Sequence, residues 1–334
     1  MSNSINKRLK IDEYFKGIRE NNRIILAQAI SLMESSLPSD YEISASLVTE
    51  ILPYTGKSVR IGVSGVPGAG KSTLIEALGL QLISLGKKVA VIAIDPSSSV
   101  TKGSILGDKT RMEKLSASGM AFIRPVPSSG APGGISWRTK EIILLCEAAG
   151  YDVVLVETVG VGQSEHRIFD LVDYFLFIML AGAGDELQSI KKGTLELADG
   201  ILINKADGDN FHSSIAYKDE LEKSIRLFLP YKKRVPVLIG SALESKGMAE
   251  LWKQLEDEIK FRKKSDEFAE RRNQQEVAWM HLCLEERIKQ FFEENIPLRQ
   301  IVQKEEENVK EGRKSAYMAA MEVFNNFISS AKTN

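Results

Sequence analysis

The chain has 334 residues, 43% hydrophobic and 27% charged, with a net charge of −1. That length suits one nucleotide-sized α/β domain with helical additions, and the near-neutral balance gives no sign of a nucleic-acid partner. Two cysteines, Cys146 and Cys283, make no disulfide framework or CxxC metal site and fit a reducing cytoplasm.

The start, MSNSINKRLKIDEYFKGIRE, is too charged for a secretory signal. Residues 12 to 36 carry Tyr14, Ile18, Ile25, Ala29 and Met33 at helical spacing, which predicts one or two helices before a break at Leu37-Pro38-Ser39. A further helix runs from about Ser44 to near Pro53. From Val59 the texture changes to short aliphatic runs, each followed by a Gly-rich or Asp-rich loop and then a helical pattern. The runs are Val59–Ser64, Lys88–Ile94, Ala121–Pro125, Val153–Glu157, Tyr174–Leu180, Gly200–Asn204 and Val235–Gly240. Nearly continuous apolar character predicts parallel strands covered on both faces, hence a doubly wound, mostly parallel sheet. The longest apolar run, Tyr174 to Ala183, is too short to span a bilayer and reads as a buried strand. No membrane partner is expected.

In such a sheet, ligands sit beyond the carboxyl ends of the strands. After the first run comes Gly65-Val66-Pro67-Gly68-Ala69-Gly70-Lys71-Ser72-Thr73, a complete GxxxxGK[ST] between a strand and a helix. Its glycines let backbone N–H groups converge on phosphate oxygens, and the following helix adds the positive end of its dipole. Lys71 is expected on the β and γ phosphates and the Ser72 hydroxyl on Mg²⁺. The second run ends at Asp95, and Asp108 lies in the loop that follows; both are candidate metal ligands, with an N-cap role as the alternative for Asp108. The fourth run ends in Glu157-Thr158-Val159-Gly160-Val161-Gly162-Gln163. Glu157 is placed to face the metal, and Gly160 to offer its N–H to the γ phosphate. Gln163 is either a water-orienting residue or a bystander.

The sixth run ends in Asn204-Lys205-Ala206-Asp207, an NKxD sequence. A carboxylate at Asp207 accepts from the ring N–H and exocyclic amine of guanine, a donor pair adenine lacks. Asn204 and Lys205 would brace this loop and cover the base, and Ser241-Ala242-Leu243 after the seventh run supplies an N–H for the guanine carbonyl. GTP and GDP are therefore the expected nucleotides, and GTP hydrolysis the expected reaction. Gly-rich loops at Ser128 to Gly134 and Ala181 to Glu186 lie on the same side and suit nucleotide-dependent rearrangement and contact with a partner, with flexible connectors as the alternative. His166, His212 and His281 stand apart without ligand-type neighbours and read as ordinary surface or core residues.

Beyond about Phe261 the strands stop, and the charged segment FRKKSDEFAERRNQQ leads into long helices. Val277, Met280, Leu284, Ile288 and Phe291 form one apolar stripe and Tyr317, Met321, Phe324 and Ile328 a second. Two readings stay open: a hairpin packed on its own domain, or an arm that pairs with a second copy. The expected division is a helical segment over 1–55, a P-loop GTPase domain over 56–262 and a helical dimerisation arm over 263–334.

The stretches GVPGAGKST, AIDPSSS, GSILGDKTRM, RPVPSSGAPGGIS, VETVGVGQSE, GAGDELQSIKKG and NKADG, with ILAQAISLMES near the start, resemble the methylmalonyl-CoA mutase-associated GTPases, a group also known as lysine/arginine/ornithine transport kinases. The resemblance spans nearly the whole chain. It implies a dimeric P-loop GTPase of slow intrinsic turnover that gates adenosylcobalamin delivery to an acyl-CoA mutase and protects or rescues that enzyme. It also implies Mg²⁺ handling by Ser72, Asp95, Asp108 and Glu157, and a switch from Gly182 to Lys192 in which Lys191 or Lys192 acts on the phosphates. For those two lysines, exposed residues capping a helix remain the alternative. Ala181 and Ser189 depart from the proline and glycine common in the group, which leaves the client mutase open. A transport-linked kinase and a metal-insertion GTPase are the competing expectations; the first lacks an acceptor-binding motif and the second lacks clustered His/Cys ligands.

Overall fold

A computed structural model describes residues 8–35, 37–95, 112–127, 138–158, 164–182, 192–228 and 235–331. It divides into two compact units, 1–275 and 276–334.

The larger unit is built on seven strands: β1 (Val59–Gly65), β2 (Val89–Asp95), β3 (Ala121–Pro127), β4 (Val153–Glu157), β5 (Tyr174–Leu180), β6 (Gly200–Asn204) and β7 (Val237–Ile239). They form one all-parallel sheet in the order β3-β2-β4-β1-β5-β6-β7. The expected runs and the strands agree in number and order. Differences lie at the ends, where β3 continues to Pro127 and β7 is only Val237–Ile239. A parallel sheet must be covered on both faces, which is why its strands are apolar throughout. The central strand β1 is buried from Arg60 to Gly65 and β5 from Tyr174 to Met179.

On one face, helix α4 (Lys71–Ser84) and a helix over Met248–Lys264 pack Leu74, Ile75, Leu78, Leu251, Trp252 and Leu255 against Ile61, Val63, Val91 and Leu155. A second layer contains the helix Thr139–Ala148 and three amino-terminal helices, α1 (Ile11–Arg19), α2 (Arg23–Met33) and α3 (Pro38–Ile51). The helical stretch expected over 12 to 36 is thus two helices, separated by Asn21 at φ +57 and capped by the Asn22 side chain, which accepts from the N–H groups of Ile24 and Ile25. The third helix begins at Pro38, earlier than the pattern suggested, because proline suits the first turn of a helix. Arg19 ties α1 to the helix Thr139–Ala148 by donating to the Ala148 carbonyl at 2.7 Å.

Strand register sets the site. Val63 lies opposite Glu157, Gly65 opposite Ile178, and Leu180 opposite Asn204, so the loops after β1, β4, β5 and β6 leave one edge of the sheet together.

The smaller unit is helical. It holds most of a helix over Glu267–Glu294 and the helices Ile296–Lys310 and Ala316–Ala331, the last two packed on each other. Phe291, Phe292 and Phe327 make an aromatic cluster within it, with ring centroids 5.0 to 6.5 Å apart. Among the described residues, no helix is long and apolar enough to cross a membrane.

Candidate nucleotide site

The loop Gly65–Gly70 closes tightly on the sheet. Gly65 ends β1 where an added Cβ would lie 2.3 Å from the Ile178 carbonyl oxygen, so only glycine lets β1 and β5 approach this closely there. Val66 donates its N–H to that same carbonyl at 3.3 Å, and Ala69 to the Val66 carbonyl at 3.2 Å. Pro67 and Gly68 are exposed at the tip, while Ala69 is fully buried. Gly70 holds φ +87, a left-handed conformation from which α4 starts immediately. Lys71 folds back over the loop, its Nζ donating to the carbonyls of Gly65 at 2.9 Å and Val66 at 3.2 Å. The neighbouring Ser72 Oγ donates to Glu157 Oε1 at 2.7 Å. Hydroxyl and carboxylate therefore meet although 85 positions separate them in sequence. Behind them, Thr158 Oγ1 donates to the buried Ser64 Oγ at 3.0 Å and its N–H to the Val63 carbonyl, which fixes the end of β4 on β1. Thr73, the last residue of the motif, is exposed.

Asn204 joins this loop to the segment after β7. It is 2% exposed, donates from Nδ2 to the Ala69 carbonyl at 2.8 Å and accepts the Ala242 N–H on Oδ1 at 2.9 Å. An added Cβ at Gly70 would lie 2.8 Å from that same Nδ2. Lys205 follows at φ +58, the turn that brings Ala206 back to donate to the Gly240 carbonyl at 3.1 Å. Asp207 accepts a short hydrogen bond from Ser241 Oγ on Oδ2, and Ser241 Oγ also accepts the Glu244 N–H at 3.2 Å. Reciprocal backbone bonds at 3.0 Å between Ser241 and Lys246 close the Ser-Ala-Leu loop. Ala242 is 5% exposed and Leu243 81%, so the loop buries its alanine and presents its leucine.

Phe211, Lys246 and Glu250 were not singled out in the sequence, yet they line the same cleft as Asp207, Gly208 and Ser241. Lys246 pairs with Glu244 at 2.6 Å, a hydrogen bond that raises its pKa. No motif marks these three residues, because their place depends on where the helix over Asn210–Phe228 and the loop after β7 converge.

Asp95 closes β2, but its side chain lies outside the description, as does that of Lys192 at the start of a helix over Lys192–Leu197. Asp108, Gly160, Gln163 and Lys191 lie outside the described residues, and so do the loop at 128–134 and positions 183–186. Among the described residues, no group of three or more His, Cys, Asp or Glu is placed to hold a metal ion. Cys146 is buried and Cys283 partly so, and neither is in a disulfide.

Comparison with known proteins places this geometry. Residues 26–296 match the family model described as methylmalonyl Co-A mutase-associated GTPase MeaB. "GTPase ArgK" of Escherichia coli K12 is 50% identical over 281 residues, covering 83% of this chain and 84% of that protein. "Methylmalonic aciduria type A homolog, mitochondrial" of Mus musculus is 38% identical over 322 residues, covering 93% of this chain and 78% of the mouse protein. A solved structure titled "Crystal structure of LAO/AO transport system kinase" superposes with a TM-score of 0.74 at 37% identity, over 98% of this chain and 99% of that one. A family match across most of the chain, on an all-parallel sheet whose GxxxxGK[ST] and NKxD segments are joined through Asn204, means that this chain belongs to the methylmalonyl Co-A mutase-associated GTPase MeaB family.

Proposed function

We propose that this GTPase is a chaperone of an adenosylcobalamin-dependent acyl-CoA mutase, with the methylmalonyl-CoA enzyme as the first client to test. It would gate cofactor loading and protect or rescue the mutase through GTP binding and hydrolysis. The observation that carries this reading is the match of residues 26–296 to a family described as mutase-associated.

Within the cleft, Lys71 serves the β and γ phosphates by exchanging its two carbonyl partners for phosphate oxygens. Asp207, oriented by Ser241, reads the guanine donors, and the Ala242 N–H, which donates to Asn204 Oδ1, would turn to the guanine carbonyl. The donors fit Mg²⁺. Ser72 and Glu157 bring oxygens alone to one point, as a hard cation requires, and a hydroxyl that donates to Glu157 keeps lone pairs for the ion. Asp95, Asp108, phosphate oxygens and waters would complete the set. When bound, the ion supplies neutralisation of charge on the phosphates. Gly160 is proposed to sense the γ phosphate, and Lys191 or Lys192 to act electrostatically on the phosphates when the mutase docks.

A homodimer is the proposed assembly. Its support is the exposure of both carboxyl-terminal stripes: Val277, Met280, Leu284, Ile288 and Phe291 are 48 to 58% exposed, and Tyr317 reaches 73%. Two lone cysteines that make no disulfide framework favour a reducing location, which we take to be the cytoplasm.

The test is GTP turnover by the purified protein alone and with adenosylcobalamin-dependent mutases added singly. Acceleration by one mutase, absent in Lys71→Ala, supports the reading. No response from any mutase, with GTP binding intact, overturns the chaperone role and leaves the GTPase.

A further inference from the structure

A second cavity of about 730 Å³ lies far from the nucleotide cleft, between α1, α2 and the amino-terminal half of β3. β3 is an edge strand, separated from β1 by β2 and β4, and residues Ala121 to Arg124 form part of the wall. The volume falls within the range of small-molecule sites, roughly 300–1,000 Å³.

Three guanidiniums line this cavity: Arg8, Arg23 and Arg124. Each is held in place by the fold. Arg8 forks onto Asp40, Nε at 3.2 Å and Nη2 at 2.5 Å. Arg23 Nη2 donates to the carbonyls of Ser118, at 2.7 Å, and Ala121. Arg124 Nη2 donates to Glu34 Oε2 and, at 3.2 Å, to Ser31 Oγ. Neither carboxylate belongs to the cavity lining. Two carboxylates against three guanidiniums leave an excess of one positive charge around the cavity.

The Arg124–Glu34 pair is moreover incompletely satisfied. Arg124 Nε and Glu34 Oε1 are buried and have no hydrogen-bond partner among the described residues. Burial pushes the Glu34 carboxyl above its usual range even though Arg124 pulls the other way. A guanidinium has five N–H donors in a planar fork suited to carboxylate or phosphate, and the bonds of Arg124 to Glu34 and Ser31 use only its Nη2. The rest of the wall is apolar in part: Phe122 and Ile24 line it, and Ile24 is 72% exposed. That combination fits a ligand with a charged head and an apolar body.

We infer that this cavity is a second ligand site, distinct from the nucleotide cleft, for a small organic anion with a phosphate or carboxylate head and an apolar body. The head meets Arg124 and Arg23, and the body lies along Ile24 and Phe122. Arg8, fixed on Asp40, closes the cationic side.

Calorimetric titration of the full-length protein, saturated with GDP so that the phosphate loop is filled, tests this. The probes are phenyl phosphate, phenylacetate, inorganic phosphate and benzyl alcohol, which separate the two heads from each other and from the body. One of the first two should bind once per chain, with a Kd below about 5 mM and several-fold tighter than inorganic phosphate or benzyl alcohol. Arg124→Gln should weaken that binding about tenfold, and Ala27→Trp, which fills the cavity but keeps all three arginines, should abolish it, both with unchanged GDP affinity. Failure of phenyl phosphate and phenylacetate to bind within that limit overturns the proposal. So does binding that persists unchanged in Ala27→Trp.

Discussion

Asn204→Ala should uncouple the two halves of the nucleotide site. The side chain makes two buried hydrogen bonds, to the Ala69 carbonyl at 2.8 Å and from the Ala242 N–H at 2.9 Å. Truncation removes both and leaves a carbonyl and an N–H at residues that are 0% and 5% exposed. Each stranded buried group costs about 1–3 kcal/mol, so the loss should be about 2–6 kcal/mol. Part of that loss falls on the ligand, because the phosphate loop and the base-reading loop are no longer held at a fixed spacing; the Kd for GDP should rise at least about tenfold. Asn204→Asp sharpens the test. It keeps the acceptor for Ala242 but turns an acceptor toward the Ala69 carbonyl and buries a charge, so it should be at least as damaging as alanine. Urea unfolding and fluorescent-GDP titration measure the two effects. A stability change within about 0.5 kcal/mol, with unchanged GDP affinity, would refute the coupling role.

Gly70→Ala should lower GDP affinity about tenfold or more, since the new methyl must take a φ of +87 and lies 2.8 Å from Asn204 Nδ2; equilibrium titration decides, and parental affinity would show that the loop relaxes freely. At alkaline pH, burial pushes the Tyr151 hydroxyl up to about 12 and raises Tyr174 as well. These groups sit above the unfolded tyrosine value of about 10, so their contribution to stability is complete below pH ~10 and is lost as pH rises toward 12. A phenolate absorbance titration should show two tyrosines ionising only with unfolding, and ionisation of all tyrosines before unfolding would contradict their burial. Removing 276–334 should give a monomer that still binds GTP, by sedimentation and nucleotide titration; a dimer surviving the deletion would remove the arm from the assembly.

The segments of the candidate site were legible because they are contiguous motifs. GVPGAGKST and NKAD are unbroken runs that can be read whole, although the glycines at 65 and 70 also answer to distant neighbours, the Ile178 carbonyl and Asn204 Nδ2. The strands were legible for a different reason, since burial on both faces leaves uninterrupted aliphatic runs. What escaped depends on partners distant in sequence. Nothing near Ser241 announces that its hydroxyl orients Asp207, 34 positions away, and nothing near Asn204 announces the Ala69 carbonyl, 135 positions away. Phe211, Lys246 and Glu250 escaped because the surface of a cleft is made by the meeting of elements, and residue type alone does not report it.

The charged segment after Phe261 shows the same limit most plainly. By composition, FRKKSDEFAERRNQQ looks like a solvated connector between a domain and its helical extension. In the fold its arginines are an anchor. Arg262 and Arg271 both reach Asp199, at 2.7 and 3.1 Å, and Arg272 forks onto Asp173 with two bonds of 2.8 Å. Arg272 also donates to the carbonyls of Gly56 and Ser58, and Gln275 to those of Phe169 and Val172. Asp173 and Asp199 in turn accept the N–H groups of Arg60 and Phe175, so the start of the long helix is fixed to the amino-terminal ends of β1 and β5. Single exposed ion pairs contribute little, but Asp173 is 1% exposed, and a forked arginine on a buried carboxylate leaves an uncompensated charge when either partner is removed. A truncation at 264 would therefore strip the sheet of three arginine- and glutamine-based ties as well as removing the apolar stripes. Only the deletion that begins at 276 separates the question of assembly from the question of folding.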